Sequence, residues 1–144
     1  MNHTTEEQLR SHFTRFPFLV GGEVSEQEIE NAERELGRSF PPAYREFVLR
    51  FGGGVVGSLS IAGLRFVPAM GSEERSVIEL TRRFQEDGWA APDWLVISID
   101  HGGNPLGLAK DGSVWRFDHD FGGLSLVSET FDDFVAKQCF RERS

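Results

Sequence analysis

Cysteine is almost missing from this sequence, positive charge is scarce, and no long apolar run occurs. The single Cys139 cannot close an internal disulfide. It reads as a small apolar residue near a helix end, in a chain suited to a reducing compartment. No stretch approaches the ~20 consecutive apolar residues that a membrane span requires, and the opening MNHTTEEQLR lacks the apolar centre of a secretory signal. The expectation is a cytoplasmic protein with no membrane partner. Lys and Arg number 15 against 23 Asp and Glu, a net charge of −8. That leaves too little positive potential to grip a phosphate backbone and argues against direct nucleic-acid binding. The same balance suits a basic partner. Catalytic signatures are also missing: there is no GxSxG and no HExxH. The glycines at 52–54 follow a helix instead of leading into one, so they make no phosphate loop. Paired acids such as Glu73–Glu74 and Asp132–Asp133 sit at predicted helix starts, where the helix dipole favours them. The absences predict no catalytic residue, no cofactor and no resident metal.

What is present is a globular balance, 39% hydrophobic and 26% charged, with 13 Phe against one Tyr in 144 residues. Such a length supports one domain with a core of its own, here rich in aromatic rings. Helical spacing and end signals predict helices over about 5–13 and 26–36, the second with a Ser25–Glu28 capping box and Gly37 as its left-handed cap. Pro41-Pro42 open a third, whose stripe is Tyr44, Phe47, Val48 and Phe51. Val55–Ser60 and Leu64–Val67 read as a hairpin split by Ala62-Gly63. Ser72 is the expected cap of a helix carrying Val77, Ile78, Leu80, Thr81 and Phe84 and closed by Gly88. Strands follow at 95–99, 106–110, 114–118 and 124–128, with Asp111-Gly112 as a two-residue turn. Thr130 with Asp133 caps a closing helix through Phe131, Phe134 and Val135. Hairpins link most of the strands. The expected fold class is therefore α+β, a mostly antiparallel sheet with helices against one side and around the rim.

Polar residues concentrate in Asp100-His101-Gly102-Gly103-Asn104 and in Asp118-His119-Asp120. The strands before them run the same way, so the two clusters are expected at one end of the sheet. Together they offer oxygen and nitrogen donors of a kind that could hold a metal. The competing reading is turn chemistry, in which Asp and Asn side chains bond the backbone beside glycines. Trp89, Trp94 and Trp115 are the residues most suited to anchor a partner if exposed, and otherwise belong to the core. Trp115 and Phe117 alternate on one strand and so face the same side.

Two motifs carry a resemblance. The first runs through Ile29, Ala32, Glu33, Leu36, Gly37, Phe40-Pro41-Pro42, Tyr44, Phe47 and Gly52-Gly53-Gly54. The second runs through Asp100, Gly103-Asn104, Asp111-Gly112, Val114 and Asp118-His119-Asp120, and on to Phe131 and Phe134. Over about residues 25–136 the chain resembles the SUKH superfamily, small domains that include a yeast cell-wall regulator and many bacterial immunity proteins. It departs at Phe117, where members often carry Tyr or Trp, and residues 55–88 match no motif. The resemblance implies an α+β domain without catalytic residues, whose motif positions are framework: caps, turns and core contacts. It implies a protein partner, namely a cognate toxin of nuclease or deaminase type. The charge adds that this partner is basic. Two other readings stand beside it: a regulatory or scaffold module binding host signalling proteins, and a small metal-dependent enzyme using the Asp100–His101 and Asp118–Asp120 clusters.

Overall fold

The structure, a computed structural model, describes residues 1–71 and 76–141. Helix α1 (His3–Arg15) is capped by Asn2, whose side chain accepts from the Thr5 N–H at 2.8 Å. Helix α2 (Glu26–Leu36) begins at Ser25, whose hydroxyl accepts from Glu28 N–H at 3.2 Å, and ends at Gly37 with φ +70°. A Cβ is strained in that conformation, which is why glycine stands at the cap. Helix α3 (Pro42–Phe51) buries Tyr44, Phe47, Val48 and Phe51, the predicted stripe.

Two short strands, β1 (Gly54–Val56) and β2 (Leu59–Ile61), form the hairpin. The expected register is corrected here. The turn is Gly57-Ser58, not Ala62-Gly63, and residues 64–67 form no strand. Gly57 has φ +59°, and the Ser58 N–H is held by the Cys139 carbonyl at 2.9 Å. The N–H groups of Leu64 and Arg65 go instead to the Gly52 carbonyl, at 2.8 and 2.9 Å. That crossing explains the glycine run: a Cβ on Gly53 would lie 2.5 Å from the Arg65 carbonyl oxygen.

Helix α4 (Val77–Glu86) is capped by Ser76, whose hydroxyl accepts from Glu79 N–H at 3.1 Å. The expected cap Ser72 and the Glu73–Glu74 pair lie outside the described residues. Four antiparallel strands then form the main sheet in sequence order: β3 (Leu95–Ile99), β4 (Pro105–Leu108), β5 (Val114–Phe117) and β6 (Leu124–Ser128). The β4–β5 turn differs from the two-residue loop expected. Gly112 N–H bonds the Ala109 carbonyl at 2.9 Å and Ala109 N–H bonds the Ser113 carbonyl at 2.8 Å, so three residues, 110–112, form the loop. Gly112 supplies the positive φ that this geometry needs. The closing helix α5 (Phe131–Asp133) starts at Thr130, whose hydroxyl accepts from Asp133 N–H at 3.0 Å, and continues as a π-helix over Phe134–Cys139.

One face of the sheet presents Leu95, Ile97, Leu106, Leu108 and Val114 to the main core, which α1, α2, α3 and α5 complete. Its centre is aromatic: Phe13, Phe51, Phe47 and Phe131 follow one another with ring centroids 5.3–5.8 Å apart. Each fully buried ring of this size contributes about 1.5–3 kcal/mol through loss of water contact. The Tyr44 hydroxyl, also buried, donates to the Ala62 carbonyl at 2.6 Å, and burial pushes its pKa up. Cys139 is buried too, and its thiol is likewise pushed up. On the opposite face α4 covers only the β3 end, where Leu80 and Phe84 pack on Ala62 and Val96. The fold is α+β, and helix cover is lopsided.

Candidate protein-binding face

That lopsided cover leaves Leu124 and Leu126 of β6 exposed on the second face, beside the half-buried Trp115 and Phe117 of β5. Pairing places Trp115 opposite Leu126 and Phe117 opposite Leu124, so these four side chains share the face. Leu124 is 53% and Leu126 48% exposed, and Phe121, at the tip of the β5–β6 turn, is 91% exposed. Of the five large apolar residues that stand out into solvent among the described residues, three therefore lie within six residues of chain. Clustering of this kind marks an interaction surface, whereas scattered exposed leucines do not.

The three tryptophans divide. Trp94 is core: its ring lies against β4, so close that a Cβ on Gly107 would sit 2.1 Å from ring carbon Cε3. Its carbonyl accepts from the Arg38 guanidinium. Trp89 is half-buried and stacks in series on Phe84, Phe117 and His119, the last at 4.7 Å with planes 16° apart. Trp115 is half-buried, and its indole N–H donates to Ser113 Oγ at 2.8 Å. Ser113 Oγ in turn donates to Asp111 Oδ1 at 2.5 Å, which holds the Asp111 carboxyl below its ordinary range. The β4–β5 turn thus sets the orientation of a ring on the bare face.

The two polar clusters do meet at one end of the sheet. Asp100 Oδ1 accepts from the N–H groups of Gly102 and Asn104, both at 2.9 Å, and Gly103 N–H bonds the Asp100 carbonyl at 3.0 Å. Asn104 Nδ2 donates to Asp100 Oδ2 at 3.2 Å, while Asn104 Oδ1 accepts from His119 N–H at 3.0 Å and lies 2.5 Å from His119 Nδ1. His119 Nε2 is 3.3 Å from Asp120 Oδ1. Asp118 Oδ1 accepts from the N–H groups of Asp120 and Phe121, at 3.0 and 3.1 Å. The carboxylates are thus engaged in closing turns, and among the described residues no group of three His, Cys, Asp or Glu side chains could hold a metal ion. His101 points into solvent. The network's mechanical effect is to lock the ring of His119 under Trp89 and to present Phe121.

The N-terminal motif lies elsewhere. Leu36 is half-buried against the core, and Gly37, Phe40, Pro41 and Pro42 line a cleft of about 620 Å³ against Leu95 and Leu108. Phe40 N–H donates to Glu33 Oε2 at 2.7 Å, and the Phe40 ring lies 5.2 Å from that of Tyr44. Phe47 is fully buried, and Gly53 sits at the backbone crossing described above.

Phe121, Leu124 and Leu126 escaped the reading from residue types because they belong to no motif. A signal was nevertheless present: FGGLSLVS, residues 121–128, has no charge yet lies between Asp118–Asp120 and Glu129.

The fold is an α+β domain with a buttressed sheet face on which Leu124 and Leu126 stand exposed. The chain belongs to the SMI1 / KNR4 family (SUKH-1), whose model matches residues 23–137. A comparison with curated proteins finds no match. No helix among the described residues is long and apolar enough to cross a membrane.

Proposed function

We propose that this protein is an immunity-type binding module, which neutralises a cognate secreted toxin by covering it in the cytoplasm. Family membership supports a protein-binding role. The observation that carries the reading is the bare face itself, with Trp115, Leu124 and Leu126 exposed to different degrees beside acids. Asp118 and Asp120 precede the exposed stretch 121–128 and Glu129 follows it, while the stretch itself holds no Lys or Arg. Apolar contact with acids before and after it fits a basic protein better than a nucleic acid or a bilayer. Neutralisation of this kind requires no chemical step, cofactor or metal from the chain.

Co-purification from the native cells with the tagged chain tests the reading. The expected result is a toxin domain, of nuclease or deaminase type, that loses activity when the chain is bound. Recovery of signalling proteins alone would transfer the same face to a regulatory module.

A further inference from the structure

Strand β6 is an edge. Its inner side pairs with β5, and no strand among the described residues pairs with its other side. The opposite edge of the sheet is protected: Ala62 N–H bonds the Ile97 carbonyl at 2.7 Å and Ser98 Oγ donates to the Ser60 carbonyl at 2.6 Å. Exposed edges are ordinarily blunted by Lys, Pro or inward charges, because their free N–H and C=O groups recruit other strands. Residues 121–128 contain none of these. One bulge is present, where Val127 is the extra residue opposite the Val114–Trp115 step, and Val127 packs against the core. The bulge limits the regular edge to the residues before it.

The direction of the free groups follows from pairing. Asp118 N–H bonds the Gly123 carbonyl at 3.1 Å, so Gly123 faces β5. Antiparallel strands alternate, so Ser125 also turns its backbone inward, and the N–H and C=O groups of Leu124 and Leu126 face the open edge. Acids flank both ends: Asp118 and Asp120 before the strand, Glu129 after it. A second copy pairing antiparallel with β6 would place each copy's Asp118 and Asp120 beside the other's Glu129. Acid would then meet acid at both ends, which disfavours self-association.

We propose that β6 receives an extended segment of the partner as a fifth strand, with apolar residues at its centre and Lys or Arg at both ends. This inference rests on the binding reading above and names the kind of segment bound. Backbone bonds from Leu124 and Leu126 supply affinity, and the neighbouring face receives alternate side chains.

The probes are two synthetic nine-residue peptides with an alternating valine–threonine centre, one with two lysines at each end and one with two glutamates. The full chain is titrated with each at low salt, with amide exchange at Leu124 and Leu126 as the readout. The lysine peptide is expected to bind at least about tenfold more tightly than the glutamate peptide. It should slow exchange at both amides, and Leu126→Lys should abolish the preference while the melting temperature holds. Because that substitution places a charge on an exposed site, Leu124→Thr provides a milder second variant, expected to weaken binding without unfolding. Equal affinity for both peptides, unchanged exchange at these amides, or a dimer seen by light scattering would overturn the proposal. If a toxin is captured and inhibited while exchange stays unchanged, strand addition fails and the immunity reading survives. If the lysine peptide protects β6 but no toxin is found, the reverse holds.

Discussion

Gly107 shows how one missing side chain organises a face. Trp94 occupies the space a Cβ would need, and the Trp94 carbonyl is tied to Arg38. Gly107→Ala is therefore expected to destabilise the fold by about 1–3 kcal/mol, as overpacking does. A urea melt followed by tryptophan fluorescence checks this, and a loss below a few tenths of a kcal/mol would contradict the packing. Asn104 is the second such residue, since its amide joins the Asp100 turn to His119. Asn104→Ala leaves the His119 N–H without its acceptor and is expected to cost about 1–3 kcal/mol. It should also loosen Trp89, seen as a fluorescence shift that Asn104→Asp, which keeps the acceptor oxygen, restores in part. Only Asn104 was legible, and only in kind. Asparagine announces a turn, whereas Gly107 sits unremarked inside an expected strand, and which ring each one serves depends on contacts with Trp94 and Trp89.

Among the elements, capped helices were the most readable. Ser25 with Glu28 and Thr130 with Asp133 make the bonds their spacing predicts, because a capping bond spans three residues and needs nothing from the rest of the chain. Thr130→Ala should remove about 1 kcal/mol, measured by thermal melting, while leaving partner affinity unchanged because the cap lies off the bare face. The β1–β2 hairpin was misplaced for the opposite reason. Gly57-Ser58 and Ala62-Gly63 are both acceptable turns locally, and the choice is made by Cys139 and Ile97, whose carbonyls take the Ser58 and Ala62 N–H groups. Strand β6 was located correctly at 124–128, yet its edge position follows from the strand order of the sheet and its exposure from what packs over that face.

For the whole molecule, charge makes two predictions. Hydrogen bonding to Arg65 holds Glu28 below its ordinary value near 4.5, and Arg10, with Arg50 beside it, does the same for Glu6. A carboxylate with a lowered folded pKa stabilises the native state above its unfolded value, and that contribution fades as pH falls through the folded one. Stability should therefore be flat near neutrality and decline on acidification below about pH 4.5, with Glu28→Gln flattening part of the decline in an acid titration. The net charge of −8 bears on partners. Association with a basic toxin should slow by about tenfold or more between low and physiological salt, followed by stopped flow, because screening removes long-range steering. A salt-independent rate would remove charge from the mechanism.

Periodicity, caps and turn residues act over three or four positions, and so the sequence by itself determined the order of helices and strands, the α+β class and the aromatic core. Its motif residues also sufficed to place the chain in its family. Tertiary structure alone decided which part of the sheet stays exposed, since α4 packs on β3 while Leu124 and Leu126 of β6 are left uncovered. It decided as well that Asp100, Asn104 and His119 bond one another to shape turns. Exposure is a property of what lies opposite a side chain, and residues distant in sequence supply it.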